Sequence, residues 1–86
     1  MKTFVDLKKG DIIYLIDFTN RKITKLKFKV IKPNDIFPGI YNIFCTYAES
    51  GEDFTLVNLP LQSSIYYVFS DVCVATDLTS LTKEIC

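Results

Sequence analysis

The sequence predicts a mainly β domain: five to six short antiparallel strands bent into a small barrel or roll, with a short C-terminal helix. Three observations predict it. Lys25, Lys27 and Lys29 alternate with Leu26, Phe28 and Val30, a period of two that a strand sorts into two faces and a helix would scatter. Short apolar runs are separated by turn formers: Gly10, Pro33-Asn34, Pro38-Gly39, Gly51 and Pro60. Helical spacing appears only at the end, where Leu78, Leu81 and Ile85 share a face behind Asp77, a good N-cap. A chain of 86 residues fits one domain, residues 1–86, and is too short for two.

The first strand, Asp11–Phe18, follows a turn at Leu7-Lys8-Lys9-Gly10-Asp11 and is apolar on both faces for most of its length, as expected of a central strand or one covered on each side. The polar connection Thr19–Lys22 is long enough for a hairpin. The second strand, Ile23–Lys32, places Leu26, Phe28 and Val30 inward and Lys25, Lys27 and Lys29 outward. A loop holding Ile36 and Phe37 between two prolines leads to the third strand, Ile40–Tyr47. An acidic turn, Ala48–Glu52, joins it to the fourth, Asp53–Leu59, and a break at Pro60 precedes the fifth, Ser64–Ser70. A sixth at Val72–Ala75 and a helix from Asp77 that must dock on the sheet to persist complete the reading.

Composition narrows the class. Cysteines at 45, 73 and 86 are an odd number with no C-x-x-C spacing, which favours reduced thiols in a cytosolic protein; Cys45 and Cys73 read as core residues. The longest uncharged apolar runs, Ile12–Ile16 and Ile65–Phe69, span five residues, so no transmembrane helix is expected, and the N-terminus lacks a signal-peptide pattern. The chain has no histidine, nucleophile elbow, phosphate loop or metal-ligand cluster. The expectation is a non-enzymatic protein that requires no cofactor, located in the cytoplasm of a bacterium, or of the host cell if the protein is phage-encoded.

Charge is sorted along the chain. Residues 1–32 carry nine basic and three acidic side chains, a net of +6, whereas residues 33–86 carry one basic and seven acidic, a net of −6. Opposed blocks of this kind can orient a charged partner, or a second copy of the chain.

Leu7-Lys8-Lys9-Gly10-Asp11-Ile12-Ile13-Tyr14-Leu15-Ile16-Asp17 resembles the opening of SH3-like small barrels of bacterial and phage proteins, where a "KxGD" turn launches the first strand. Val72-Cys73-Val74-Ala75-Thr76-Asp77-Leu78 is similar to the closing strand and short helix of some of these domains. Together the two stretches cover about a fifth of the chain. The resemblance implies an SH3-like barrel. It does not imply a KOW-type nucleic-acid role, because Asp17-Phe18-Thr19-Asn20 lacks the expected glycine, nor a proline-peptide groove, because the chain has no Trp.

Two surfaces are candidates for function. Arg21, Lys22, Lys25, Lys27 and Lys29, with Lys32 beyond, form a basic hairpin that would contact phosphates or an acidic partner. The same lysines would equally guard an edge strand against aggregation. Ile36 and Phe37 on their loop, together with Tyr66, are candidate protein contacts. The acidic turn Glu49, Glu52, Asp53 lacks the order of a calcium loop and reads as a solvated hairpin tip. The leading expectation is a small protein-interaction module, an accessory or inhibitor protein docking through an exposed apolar patch with its charge blocks setting orientation. The alternatives are a nucleic-acid-binding module using Arg21–Lys32 and a structural subunit of a larger assembly. The outward positions between the lysines hold no aromatic residue for base stacking, which favours the first.

Overall fold

The computed structural model describes residues 2–57 and 61–78. Six strands alternate with short turns: β1 (Ile12–Asp17), β2 (Lys22–Pro33), β3 (Tyr41–Tyr47), β4 (Asp53–Val57), β5 (Ile65–Phe69) and β6 (Val72–Ala75). They form one antiparallel sheet in the order β4-β3-β2-β1-β6-β5, curled into a half-barrel. The expected strand set and the antiparallel pairing are therefore present. The expected C-terminal helix, Asp77–Ile85, falls outside the described residues from 79 onward; Asp77 and Leu78 are not helical, and no helix of seven or more residues occurs among those described.

The concave face holds the main core. Phe4, Ile13, Leu26, Ile43 and Val74 are fully enclosed, with Leu7, Phe28, Cys45 and Leu56 beside them. Burial of such side chains is the main favourable term in folding, at about 1.5–3 kcal/mol each. Phe4 belongs to a feature the strand pattern did not announce. A short 3-10 turn, Phe4–Asp6, is tied to the chain before β5, with Phe4 N–H donating to Ser63 O at 2.9 Å and Val5 N–H to Leu61 O at 3.1 Å. The N-terminus thus plugs the half-barrel with an aromatic ring. Thr76 ties in the same region, its hydroxyl donating to Lys2 O at 2.5 Å.

β1 is central, as its two-sided apolarity predicted. Ile13 and Leu15 face the main core, while Ile16, flanked by Tyr14 and Phe18, joins Cys73 and Ala75 in a second cluster on the convex face. Leu78 and Ile65 pack against that cluster too. Both Cys45 and Cys73 are buried. Burial pushes the Cys45 thiol up to about 11, and its Sγ–H donates to Phe54 O at 3.2 Å.

Two expectations about the second strand are corrected. It is not an edge, because β1 lies on one side and β3 on the other; among the described residues the sheet ends at β4 and β5. Val30 does not point inward. Phe28 pairs with Cys45 but Val30 with Phe44, so a bulge at Lys29 inserts one extra residue and swaps the faces beyond it. Val30 is consequently 39% exposed, and Ile31 packs on the core in its place.

Candidate functional site

The basic hairpin is built from the turn upward. Asp17 holds the β1–β2 connection, its carboxylate accepting from the Asn20 side-chain amide at 2.7 Å and from Asn20 N–H at 3.2 Å. Those bonds hold the Asp17 carboxyl below its ordinary value, the side-chain bond contributing most. Arg21 then takes a left-handed backbone at φ 52, and with Lys22 it stands exposed at the tip. The register sets Ile12 opposite Lys27, Tyr14 opposite Lys25 and Ile16 opposite Ile23. The alternating lysines of β2 therefore lie on the convex face.

The structure does not leave them as one bare ribbon. β3 pairs with β2 on one side and β4 on the other, and the intervening acidic turn returns beside the lysines. Lys27 is opposite Thr46, which is opposite Asp53. Lys29, at the bulge, pairs with the Asp53 carboxylate at 3.6 Å, and Lys32 lies 5.8 Å from the centre of the Phe44 ring. Ala48 N–H donates to Lys25 O at 3.0 Å, which fixes the turn against β2. The +6 and −6 segments thus interleave, because an antiparallel sheet puts sequence neighbours side by side.

At the same end lies an open groove of about 920 Å³. Leu15, Tyr47 and Val72 give it apolar lining, while Lys22 and Lys25 from β2 line it together with Glu49 and Glu52 from the turn. Among the described residues, no group of three His, Cys, Asp or Glu side chains could hold a metal ion.

The opposite end carries the apolar candidates. Asn34 organises the β2–β3 loop: its Oδ1 accepts from Ile36 N–H at 2.9 Å and Phe37 N–H at 3.0 Å. Its own N–H donates to Ile40 O at 2.7 Å, and Ile40 N–H closes on Phe37 O at 3.3 Å. Gly39 supplies the left-handed step at φ 83 that this closure needs. The outcome is a hydrogen-bonded tip from which Ile36 projects 77% exposed and Phe37 58% exposed. At the adjoining end of β4, Val57 is exposed as well, opposite Asn42 near the start of β3.

Tyr66 is placed differently. It is half-buried against the main core, and its hydroxyl donates to Val57 O at 3.3 Å across the seam between β5 and β4. The exposed aromatics of β5 are Tyr67, stacked with Phe18 at 6.5 Å between centroids, and Phe69. Phe69 was missed because a bulge between Tyr67 and Phe69 breaks the alternation that would have sorted it. The sequence-predicted contacts therefore do not converge: Arg21 and Lys22 sit at one end, Ile36 and Phe37 at the other, and Tyr66 inside. The chain matches no protein-family model, no curated protein and no solved structure.

Proposed function

We propose that the protein is a non-enzymatic interaction module, SH3-like in its opening turn, which docks on a protein partner through the Ile36–Phe37 tip. The observation that carries this reading is the Asn34-centred hydrogen-bond set. It presents two large apolar side chains to solvent on a loop whose conformation is already fixed. A loop fixed before binding loses little conformational entropy when it docks, and an aromatic anchor is the usual centre of a binding hot spot. An accessory or inhibitor protein acts in this way, by occupying a surface of its target.

A second reading, nucleic-acid binding through Arg21, Lys22, Lys25, Lys27 and Lys29, draws support from the convex placement of the lysines. Against it stand the Lys29–Asp53 pair and the neighbouring glutamates, which lower the field that phosphates would meet.

One experiment separates the two. The tagged protein and an Ile36→Asp/Phe37→Asp variant are used to capture partners from the native host, with bound proteins identified by mass spectrometry. Both substituted side chains are exposed, so the variant should melt with the parent while losing a specific partner by at least about tenfold, the scale of one hot spot. Equal capture by both proteins refutes the docking tip. Salt-sensitive binding of labelled DNA or RNA that a Lys25→Glu/Lys27→Glu variant abolishes would install the second reading instead.

A further inference from the structure

The molecule carries a knob at one end and a groove at the other. The knob is the Ile36–Phe37 tip, apolar, exposed and held by Asn34. The groove, of about 920 Å³, opens beside the β3–β4 turn, and its size falls within the about 300–1,000 Å³ of clefts that enclose ligands. Its wall is set before anything binds. The Tyr47 ring packs edge-on to Phe54 at 5.4 Å, Tyr47 N–H donates to Glu52 O at 2.8 Å, and Gly51 N–H donates to Tyr47 O at 2.8 Å. Leu15, Tyr47 and Val72 are half-buried, so each still offers apolar surface to an occupant. Lys22 and Lys25 reach the groove from β2, and Glu49 and Glu52 from the turn. Among the described residues no ion pair joins those lysines to those glutamates.

We infer that the groove receives the Ile36–Phe37 tip of a second copy of the chain, a pairing that rests on the docking reading of the tip and names its partner. The two surfaces match in chemistry. Ile36 and Phe37 bring two large uncharged side chains, and Leu15, Tyr47 and Val72 supply the apolar contact they need. Asp35, next to Ile36, is exposed and has no ion-pair partner among the described residues; it brings a carboxylate to Lys22 and Lys25. Lys32, at the foot of the same loop, is the cation available to Glu49 and Glu52. A formal net charge of zero adds no general repulsion between copies. The twelve residues of β2, Lys22–Pro33, separate groove from tip at about 3.3 Å each, so no copy can fill its own groove. The contact therefore joins two unlike patches, and a copy that has lost one of them can still use the other.

Sedimentation of the full chain from about 1 µM to about 1 mM, spanning moderate to weak dissociation constants, should show a mass that rises with concentration to a dimer or beyond. Two variants altered at exposed positions separate the surfaces: Ile36→Asp/Phe37→Asp spoils the tip, and Lys22→Glu/Lys25→Glu spoils the groove. Each should melt with the parent and, alone, associate at least about tenfold more weakly. Mixed in equal amounts where each alone is monomeric, they should form one-to-one pairs, because the intact tip of one enters the intact groove of the other. Both variants are more acidic than the parent, so their net charges would only keep them apart. A chain that is monomeric at every concentration overturns the pairing and leaves tip-dependent capture of a host protein standing. Association that either variant leaves unchanged overturns it too, as does a mixture that forms no pairs.

Discussion

Asp11 shows how single residues aim this sheet. Its carboxylate accepts from Lys8 N–H at 2.9 Å and from the Lys2 ammonium at 3.0 Å, while its N–H donates to Lys8 O at 2.9 Å. Gly10 completes the turn at φ 95 and donates to Phe28 O at 2.9 Å, linking the turn to β2 before β1 begins. Nothing lies within 4 Å of the position a side chain there would take, so backbone conformation alone explains the glycine. The bond from Lys8 N–H, then that from Lys2, hold the Asp11 carboxyl below its ordinary value of 3.8. A carboxyl depressed in the folded state stabilises the fold above its unfolded value and loses that contribution as pH falls through the lower folded one. An Asp11→Asn variant should therefore unfold at lower urea than the parent at neutral pH, and the two midpoints should converge as pH drops below 3.8. A gap that persists undiminished into strong acid would show that charge at Asp11 plays no part.

Among the elements, β2 and the loop behind it shape the surface most. Its alternation places Leu26 and Phe28 inside, and one extra residue at Lys29 then turns Val30 out and Ile31 in. A sequence pattern locates a strand but not its bulge, because only the pairing with β3 reveals which residue is left over. The loop is better encoded. Asn34 belongs to the residue types whose side chains bond backbone two or three positions on, and it does so to Ile36 and Phe37. Asn34→Ala removes both bonds at the surface, so global stability should fall by no more than about 1 kcal/mol. Local opening of the tip should rise by about tenfold, read as faster amide exchange at Ile36 and Phe37. Unchanged exchange at those amides would mean that the tip is held by other contacts.

For the whole molecule, the decisive contact joins the N-terminal turn to the chain before β5. The N-terminal turn bonds to residues 61 and 63, and Phe4 is fully enclosed by side chains from along the chain. A domain this small has a total stability of about 5–15 kcal/mol, and deleting a buried phenylalanine costs about 3–5. Phe4→Ala should thus remove a large part of that stability, with a urea midpoint far below the parent. Val5→Ala at the half-exposed neighbour should barely move it. Equal midpoints for the two variants would show that the plug is dispensable. The same scale settles the charge question. Folding back along β2, β3 and β4 brings the acidic turn beside the lysines, and the Lys29–Asp53 pair marks where the blocks meet.

The amino-acid sequence alone placed the strands to within one in number, and marked the two-sided apolarity of β1, the outward lysines Lys25, Lys27 and Lys29, and the loop pair Ile36 and Phe37. Each of these is written in neighbouring residues, through periodicity or turn chemistry, and local sterics suffice to read it. Tertiary structure alone decided that β2 lies inside the sheet, that Phe4 plugs the half-barrel, that Tyr66 faces the core, and that β5 pairs with β6. Those facts depend on which strand lies beside which. Pairing partners are chosen by the burial and hydrogen bonding of the whole chain at once, and no local stretch of sequence records that choice.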